Sequence, residues 1–240
     1  MNLLLLSHED LVEADLAVVR DHRLYHIITT QRAAVGDRLR AGLLDGRQGS
    51  AEILALDQQQ ATLRLQLEEA PPPPLPLTLV LALPRPKMLR RCLSMVAELG
   101  IKQIYLINSY RVEKSYWQSP LLEEEAIHRA LLAGLQQAKD TCLPKVGIRR
   151  RFKPFVEDEL PGLAEGSTAL VAHPYQESDQ RVSLPLTDPA LVCIGPEGGF
   201  IPYEVDRLRA AGCRPLGLGP RTYRVETFLP LLAGVLYRHG

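Results

Sequence analysis

Residues 191–227 read LVCIGPEGGFIPYEVDRLRAAGCRPLGLGPRTYRVET and repeat one pattern twice. A short apolar run (191–194, then 215–218) leads each time into a glycine-rich loop, and helical spacing follows the loop. In a parallel sheet both loops leave the carboxyl ends of their strands, where open α/β sheets bind ligands. Glycines there let a ligand approach bare backbone N–H and C=O groups. The stretch therefore predicts an α/β domain with a ligand site at two neighbouring loops.

The two loops are not phosphate loops of a known type. The chain has no G-x-x-x-x-G-K-[ST], and the glycines at 195, 198 and 199 do not fit G-x-G-x-x-G. Ordinary tight turns are the alternative interpretation of these glycines. Two such loops one helix apart, the second carrying Arg221, Arg224 and Glu226, favour a ligand site instead.

The chain before this stretch extends the same architecture. The apolar run Leu77–Leu83 is typical of a strand covered on both faces. Helical spacing predicts helices over 88–99 and 121–139, and short apolar runs predict strands over 103–107, 145–149 and 169–172. Strands that alternate with helices predict a mainly parallel α/β sheet.

The first seventy residues have a different pattern. The apolar run 3–6 predicts a short buried strand, and alternating apolar residues predict strands over 38–44, 50–56 and 61–67. We also expect a short helix within 22–35 and a hairpin turn at Asp45-Gly46. Short strands joined by tight turns predict a small β-barrel. The proline-rich stretch 71–76 predicts a stiff linker, because prolines continue neither a ladder nor a helix. We therefore expect domains over 1–70 and 77–240; a proline-rich recognition segment is the other interpretation of 71–76.

Charge and cysteine usage narrow the class of protein. The 240 residues contain 28 Lys and Arg and 28 Asp and Glu, so no global basic excess indicates nucleic acid. Residues 1–70 hold 7 basic against 11 acidic residues, which leaves a modest basic bias in the remainder that permits an RNA partner. None of the four cysteines has C-x-x-C spacing, so we expect no metal site and free thiols in a reducing compartment. Without a signal-peptide core or a run of membrane-spanning length, the sequence predicts a cytoplasmic protein with no membrane partner.

Two basic clusters lie in the second part of the chain. One contains Arg85, Lys87, Arg90 and Arg91; the other contains Arg149-Arg150-Arg151 and Lys153, flanked by Phe152 and Phe155. A solvated surface is one interpretation of such runs. The other is a footprint for phosphate groups, with the flanking aromatic rings available for stacking on bases.

The paired motifs I-G-P-E-G-G (194–199) and L-G-P-R-T-Y-R-V-E-T (218–227) resemble those of the ribosomal RNA small subunit methyltransferase E family, within the SPOUT superfamily. The resemblance covers essentially the whole length. Further matches, in chain order, are His26-Ile27, Arg32, Gly36-Asp37, Leu44-Asp45-Gly46, Ala51-Glu52-Ile53, Lys87-Met88, Glu98-Leu99-Gly100-Ile101 and His173-Pro174.

The resemblance implies a fold and an activity. The fold is an α/β fold with a C-terminal SPOUT α/β domain that contains a deep trefoil knot, preceded by a small PUA-like β-barrel that binds RNA. The cofactor is S-adenosyl-L-methionine, bound at the knot of a homodimer. The reaction is methylation of N3 of a uridine in 16S rRNA of the 30S ribosomal subunit or a late precursor.

Together, the loops and the resemblance give a set of candidate site residues. The candidates for cofactor binding are Val171, Ala172, His173, Ile194, Gly195, Pro196, Glu197, Gly198, Gly199, Leu218, Gly219, Arg221, Arg224 and Thr227. The candidates for RNA binding are His26, Arg32, Arg85, Lys87 and Arg150. Neither set contains a metal ligand.

Arg224 and Glu226 are the candidate catalytic residues. Uracil N3 must lose its proton, and a cation beside O2 or O4 would stabilise the anion that develops, with Arg224 preferred over Arg221. Glu226 could accept the proton. A structural salt bridge to Glu197 or Glu226 is the alternative for each arginine, and a favourable place in the first turn of the final helix is the alternative for Glu226.

Two segments depart from the family pattern. Residues 136–140 have Asp140 where the family has a basic residue, and residues 108–114 diverge from S-E-R-x-x-x-K. A divergent member that binds the ribosome or RNA with another target, or without catalysis, is therefore the alternative function. A generic nucleotide-using α/β enzyme is a third hypothesis, which the missing phosphate-loop motifs weaken.

Overall fold

The computed structural model describes residues 2–175 and 181–237. The chain folds as two units, and the first is not continuous in sequence. Residues 1–73 and 131–143 form the first unit, and residues 74–130 and 144–240 form the second.

The first unit is built on a six-stranded sheet. Its strands are β1 (Leu4–Leu6), β2 (Leu11–Glu13), β3 (Leu16–Val19), β4 (Arg38–Leu43), β5 (Gln48–Leu56) and β6 (Ala61–Glu69), in the order β1-β4-β5-β6-β3-β2. Only the β1–β4 pair is parallel. The helix α1 (His22–Tyr25) continues as a π-helical turn, His26–Thr30. Strands β2 and β3, of three and four residues, are not among the strands that the sequence predicts.

Residues 131–143 join the first unit through the predicted turn between β4 and β5. The N–H of Asp45 donates to the carbonyl of Thr141 at 2.8 Å, and the Thr141 hydroxyl donates to the carbonyl of Gly46 at 2.5 Å. The N–H of Leu143 donates to Asp45 Oδ1 at 2.7 Å. Asp45 has a φ of 58°, a conformation that Asp and Asn tolerate better than most residues. A boundary drawn from composition alone does not foresee this return of the chain.

The second unit confirms the predicted parallel α/β sheet. Its strands are β7 (Leu75–Ala82), β8 (Ile101–Ile107), β9 (Lys145–Arg149), β10 (Thr168–Ala172), β11 (Ala190–Ile194) and β12 (Arg214–Leu216), in the order β12-β10-β11-β7-β8-β9, and every pair is parallel. Its α-helices within the described residues are α2 (Pro86–Glu98), α4 (Phe152–Pro154), α5 (Leu160–Leu163), α6 (Pro202–Ala210) and α7 (Val225–Leu236), and a π-helical segment, Phe155–Glu159, lies between α4 and α5. The helix α3 (Glu124–Ala138) begins in this unit and ends in the first.

Strand β7 begins inside the proline-rich stretch for which the sequence predicts a linker. Leu75 donates its N–H to the carbonyl of Gly100 at 2.9 Å, and Pro76 follows within the strand. The pairing of β7 with β8 shifts register between Leu75 and Thr78. Because proline lacks an N–H, a local irregularity is where a ladder accommodates it.

Segments that are buried along their length are those that the apolar runs of the sequence predict. Strand β11 is buried along its whole length, and α7 buries Leu229, Leu232 and Leu236 completely. The sequence does not predict the helical stretch 152–163, because Pro154 and Pro161 are typical helix breakers.

No helix within residues 2–175 and 181–237 is both long and apolar enough to cross a membrane.

Candidate active site at the two glycine-rich loops

A cavity of about 420 Å³ lies at the carboxyl ends of β10, β11 and β12. Its walls are Ala172, His173, Pro174, Ile194, Gly195, Pro196, Glu197, Gly198, Gly199, Leu216, Gly217, Leu218, Gly219, Arg221, Thr222, Tyr223, Arg224, Val225 and Phe228. All the predicted cofactor-binding residues line it except Val171, which is buried in β10, and Thr227, which is exposed on α7. The volume is within the range of small-molecule sites, roughly 300–1,000 Å³.

The first loop folds tightly because of its glycines. A Cβ on Gly195 would lie 2.9 Å from the backbone nitrogen of Phe200, closer than real Cβ atoms come. Gly199 has a φ of +72°, and its N–H donates to the carbonyl of Pro196 at 2.7 Å. The turn therefore brings the bare backbone of Gly195, Gly198 and Gly199 to the cavity wall.

The second loop delivers Arg224 to the start of α7. Gly219 has a φ of +91°, which favours glycine. The carbonyl of Arg224 accepts the N–H groups of Thr227 at 3.0 Å and Phe228 at 2.8 Å, so Arg224 caps the helix with its backbone. The side chains of Arg221 and Arg224 lie at the cavity wall and form no ion pair with any residue in the described ranges.

Glu197 pairs with a different arginine from those that the sequence suggests. Arg85 Nε lies 3.2 Å from Glu197 Oε1, and the Arg85 backbone N–H donates to the same oxygen at 3.3 Å. The side chains are 61% and 42% exposed, so the pair stabilises the fold by no more than about 1 kcal/mol. The pair with Glu197 holds Arg85 at the rim of the cavity.

Glu226 lies in the first turn of α7, outside the cavity wall. Its Oε2 is buried and has no hydrogen-bond partner among the described residues. Burial, together with the negative charges of Glu226 and Glu197, raises the pKa of the Cys92 thiol on α2 to about 12. Glu226 therefore has one carboxylate oxygen with unused acceptor capacity, directly after Arg224 and Val225 in the chain.

Several cavity residues carry no strong signal in the sequence. In the sequence Gly217 is part of the apolar run 215–218, and nothing marks it as a site residue. In the structure a Cβ on Gly217 would lie 3.0 Å from the ring of Tyr175. Phe228 lies one helical turn after Arg224, so helical spacing alone could have placed both on one wall.

A loop after β8 reaches the rim of the cavity, and the sequence does not predict it either. Its anchor is the carboxylate of Glu204, which is 3% exposed and accepts the Ser109 hydroxyl at 3.0 Å and the Tyr110 N–H at 2.7 Å. The next residue, Arg111, donates from Nη1 to the carbonyl of Gly198. A glutamate at the third position of a helix is a capping signal. That signal could have identified Glu204, although not its distant partners.

The predicted RNA-binding residues lie in both units. In the first unit Arg32 is exposed and His26 is half-buried, and the partial burial lowers the pKa of the His26 ring. In the second unit Lys87 and Arg150 are exposed, and the Arg150 guanidinium lies 5.1 Å from the ring centre of Trp117.

The interpretation in which Phe152 and Phe155 are available for stacking is wrong for Phe155. Phe155 is 1% exposed and packs 5.7 Å from the ring centre of Tyr105. Phe152 is half-buried against the ring of Phe200 at 6.1 Å. The helical turn at 152–154 directs both rings inward, which a run of charged residues does not reveal.

Asp140, the departure from the family pattern, has a local structural role. Its side chain is 3% exposed, and Oδ1 accepts the N–H of Cys142 at 2.9 Å. It follows Lys139, whose φ of 57° ends α3. Asp140 is not among the residues that line the cavity.

The chain is similar to known methyltransferases over most of its length. A family model described as an RNA methyltransferase domain matches residues 71–236. Ribosomal RNA small subunit methyltransferase E of Treponema pallidum is 32% identical over 231 residues, covering 95% of this chain and 87% of that protein. Ribosomal RNA small subunit methyltransferase E 1 of Borreliella burgdorferi is 22% identical over 228 residues, covering 95% and 93%.

A solved structure has the same fold. The ribosomal RNA small subunit methyltransferase E of Neisseria gonorrhoeae, crystallised with S-adenosyl methionine bound, superposes with a TM-score of 0.73 at 18% identity, covering 97% of this chain and 96% of that one.

Within residues 2–175 and 181–237, no group of three or more His, Cys, Asp or Glu side chains could hold a metal ion.

Proposed function

This chain belongs to the ribosomal RNA small subunit methyltransferase E family, and from that premise we propose that it methylates N3 of a uridine in 16S rRNA with S-adenosyl-L-methionine as the methyl donor. The observation that carries the proposal is the cavity of about 420 Å³ between the two glycine-rich loops. Its walls contain all of the motif I-G-P-E-G-G and most of the motif L-G-P-R-x-x-R-x-E-T, and the resemblance carried by these motifs implies the N3 reaction.

The residues present fit this cofactor. An adenosyl group needs an apolar slot with backbone donors and acceptors, which Ile194, Gly195 and Leu218 provide. A Cβ at Gly195 would collide with Phe200, so the loop leaves the space that a side chain would fill. When bound, S-adenosylmethionine supplies a methyl group activated by its sulfonium.

Arg224 is proposed to stabilise the uracil anion. It lies at the cavity wall and has no ion-pair partner among the described residues, so its charge is available to a substrate oxygen. A cation at this position lowers the cost of removing the N3 proton, because negative charge develops on O2 and O4. Arg221, on the same loop, is the second candidate for this role.

Glu226 is proposed to accept the N3 proton. Its buried Oε2 has no partner among the described residues, and an acceptor left unsatisfied in this way is costly unless something uses it. Favourable placement at the positive end of α7 is the alternative explanation for the same residue. The two roles predict different results when the charge is removed.

The remaining expectations extend the proposal to the whole molecule. Residues 1–70 are proposed to form a PUA-like RNA-binding domain with His26 and Arg32 among its contacts, residues 71–76 a linker, and residues 77–240 a SPOUT methyltransferase domain. Arg85, Lys87 and Arg150 are proposed to hold phosphates, and the enzyme to act in the cytoplasm as a homodimer. Leu231 and Val235, which are half-buried on α7, support an interface on that helix.

The proposed trefoil knot requires the chain after β12 to pass through the segment that joins β10 to β11. Two contacts between these stretches support it. The ring of Tyr175 packs against Gly217, where a Cβ would lie 3.0 Å away. The N–H of Leu186 donates to the carbonyl of Leu236 at 2.7 Å.

The test is label transfer to RNA. The protein is incubated with S-adenosylmethionine labelled in its methyl group and 30S subunits from a strain that lacks the modification. We expect label in 16S rRNA and none in subunits that already carry the modification. Absence of label, with the cofactor shown by calorimetry to bind, would favour the alternative of a family member that binds RNA without catalysis. The Asp140 departure does not support that alternative, because its side chain caps its own turn.

A further inference from the structure

The sheet order places four loops in one row along the carboxyl edge of the second unit. Strands β11, β7, β8 and β9 are neighbours in that order, so the loops that follow them are neighbours too. Contacts connect the row: Arg85 pairs with Glu197, Arg111 donates to Gly198, and Arg150 covers Trp117. The row therefore leads from the cavity wall to the basic residues after β9.

Tyr110 is the exposed aromatic side chain in this row. Its side chain is 79% exposed, the highest value among the exposed large apolar residues in the described ranges. Its backbone is nevertheless fixed, because its N–H donates to the buried Glu204 and the preceding Ser109 is 2% exposed and bonded to the same carboxylate. The structure thus holds a bare aromatic ring one residue from Arg111, which contacts the cavity rim.

The charges around Tyr110 suit an anionic partner. Arg85, Lys87, Arg111, Lys114 and Arg150 are all exposed in the loops of this row or in the first turn of the helices that follow. Acidic side chains nearby in the chain are Glu113 and Glu123–Glu125, which are exposed, and Glu197, whose charge Arg85 offsets. Cations that track phosphates, combined with an aromatic ring, are the means by which proteins bind single-stranded nucleic acid.

We propose that Tyr110 is a stacking platform for a nucleobase of the RNA substrate, beside the base that enters the cavity. The inference rests on the proposed function and adds a residue to it that the family motifs do not contain. Stacking on Tyr110 would hold the strand while the target base leaves its stack.

The test compares three substitutions at one position. Tyr110→Phe keeps the ring, Tyr110→Leu keeps apolar bulk without a ring, and Tyr110→Ala removes both. Binding to 30S subunits that lack the modification, the KM for those subunits, kcat and the Kd for S-adenosylmethionine are measured for each. We expect Tyr110→Ala and Tyr110→Leu to raise the Kd and KM for subunits about tenfold, about 1.4 kcal/mol. Tyr110→Phe should match the wild type, with kcat and cofactor affinity retained in all three.

Three results would overturn the inference. Tyr110→Ala could bind subunits as well as the wild type, Tyr110→Leu could restore binding fully, or Tyr110→Phe could be as weak as Tyr110→Ala. The same assay separates this inference from the proposed function. A wild type that transfers methyl groups, with Tyr110→Ala unchanged, refutes only the stacking role. A wild type that binds subunits through the ring of Tyr110 but transfers no methyl group refutes only the activity, and a wild type that binds no subunits refutes both.

Discussion

The backbone N–H of Tyr110 donates a 2.7 Å hydrogen bond to Oε1 of Glu204, 94 residues further along the chain. Oε2 of the same carboxylate accepts the Ser109 hydroxyl at 3.0 Å and the Ile201 N–H at 3.0 Å. Glu204 thereby joins the loop after β8 to the start of α6, which follows the first glycine-rich loop. A single buried carboxylate fixes two of the segments that surround the cavity.

Replacing Glu204 should therefore destabilise the protein. Glu204→Ala leaves three donors without their acceptor, and we expect the free energy of unfolding to fall by about 2–4 kcal/mol. Urea unfolding measures this loss, and hydrogen exchange at the Tyr110 amide should accelerate. Asp206→Asn is the matched control, because Asp206 is exposed on the same helix and should change stability by less than about 0.5 kcal/mol. Equal stability of the two variants would show that the Glu204 bonds contribute little.

The cavity should not tolerate a side chain at Gly195. A Cβ there meets the Phe200 nitrogen at 2.9 Å, so Gly195→Ala must shift the loop that forms one wall. We expect calorimetry to show S-adenosylmethionine binding at least about tenfold weaker, a loss of about 1.4 kcal/mol or more. Gly162→Ala is the control, because a Cβ on Gly162 has nothing within 4 Å and the residue lies outside the cavity wall. It should leave the cofactor affinity unchanged and should not destabilise the fold, because alanine in the helix α5 loses less backbone entropy than glycine. Equal affinity of both variants would contradict this account of the loop.

The frame of the second unit is predictable from the sequence because its strands are buried on both faces. Residues 191–194 are almost completely buried, so a continuous apolar run is sufficient to identify β11. The helical stretch at 152–163 is not predictable, because its prolines are local breakers that tertiary packing overrides, as the burial of Phe155 shows. Segments whose burial is continuous are predictable from the chain, and those fixed by later packing are not.

Removing the guanidinium of Arg224 should separate binding from turnover. Arg224 has no ion-pair partner among the described residues, so Arg224→Ala should keep cofactor affinity within about tenfold, about 1.4 kcal/mol. The turnover rate should fall to a small fraction of the wild-type rate, because the uracil anion loses the positive charge that stabilises it. Single-turnover rates at saturating cofactor measure the effect, and Arg129→Ala, an exposed arginine on α3, is the control. A large loss of affinity with turnover preserved at saturation would reassign Arg224 to cofactor binding.

Removing the charge of Glu226 decides between its two roles. If the carboxylate accepts the N3 proton, Glu226→Gln should lower the rate by roughly 10²–10⁴ with little change in stability. If the Glu226 carboxylate only interacts favourably with the positive end of the α7 dipole, the same variant should lose about 0.3–1 kcal/mol of stability and keep its rate. We expect the first result, because Oε2 is buried without a partner among the described residues. Rate and melting temperature are measured on the same sample.

The candidate site is predictable only in part, for a physical reason. The glycine-rich loops are visible in the sequence, since Gly195 and Gly219 occur where backbone geometry leaves little choice. The contacts of Glu204 with Tyr110 and of Arg85 with Glu197 join residues that are far apart in the chain and leave no local signal. Such partners meet only when the sheet has formed and brings the loops at its carboxyl edge together.

The most direct test of the central claim is the identity of the methylated nucleoside. The protein is incubated with S-adenosylmethionine and 30S subunits that lack the modification, and their 16S rRNA is digested to nucleosides and analysed by mass spectrometry against synthetic standards. We predict 3-methyluridine with the wild type, and at least about tenfold less with Gly195→Ala at a cofactor concentration well below the wild-type Kd. A methyl group on another base or another atom, or no methylated nucleoside in the presence of bound cofactor, would contradict the account.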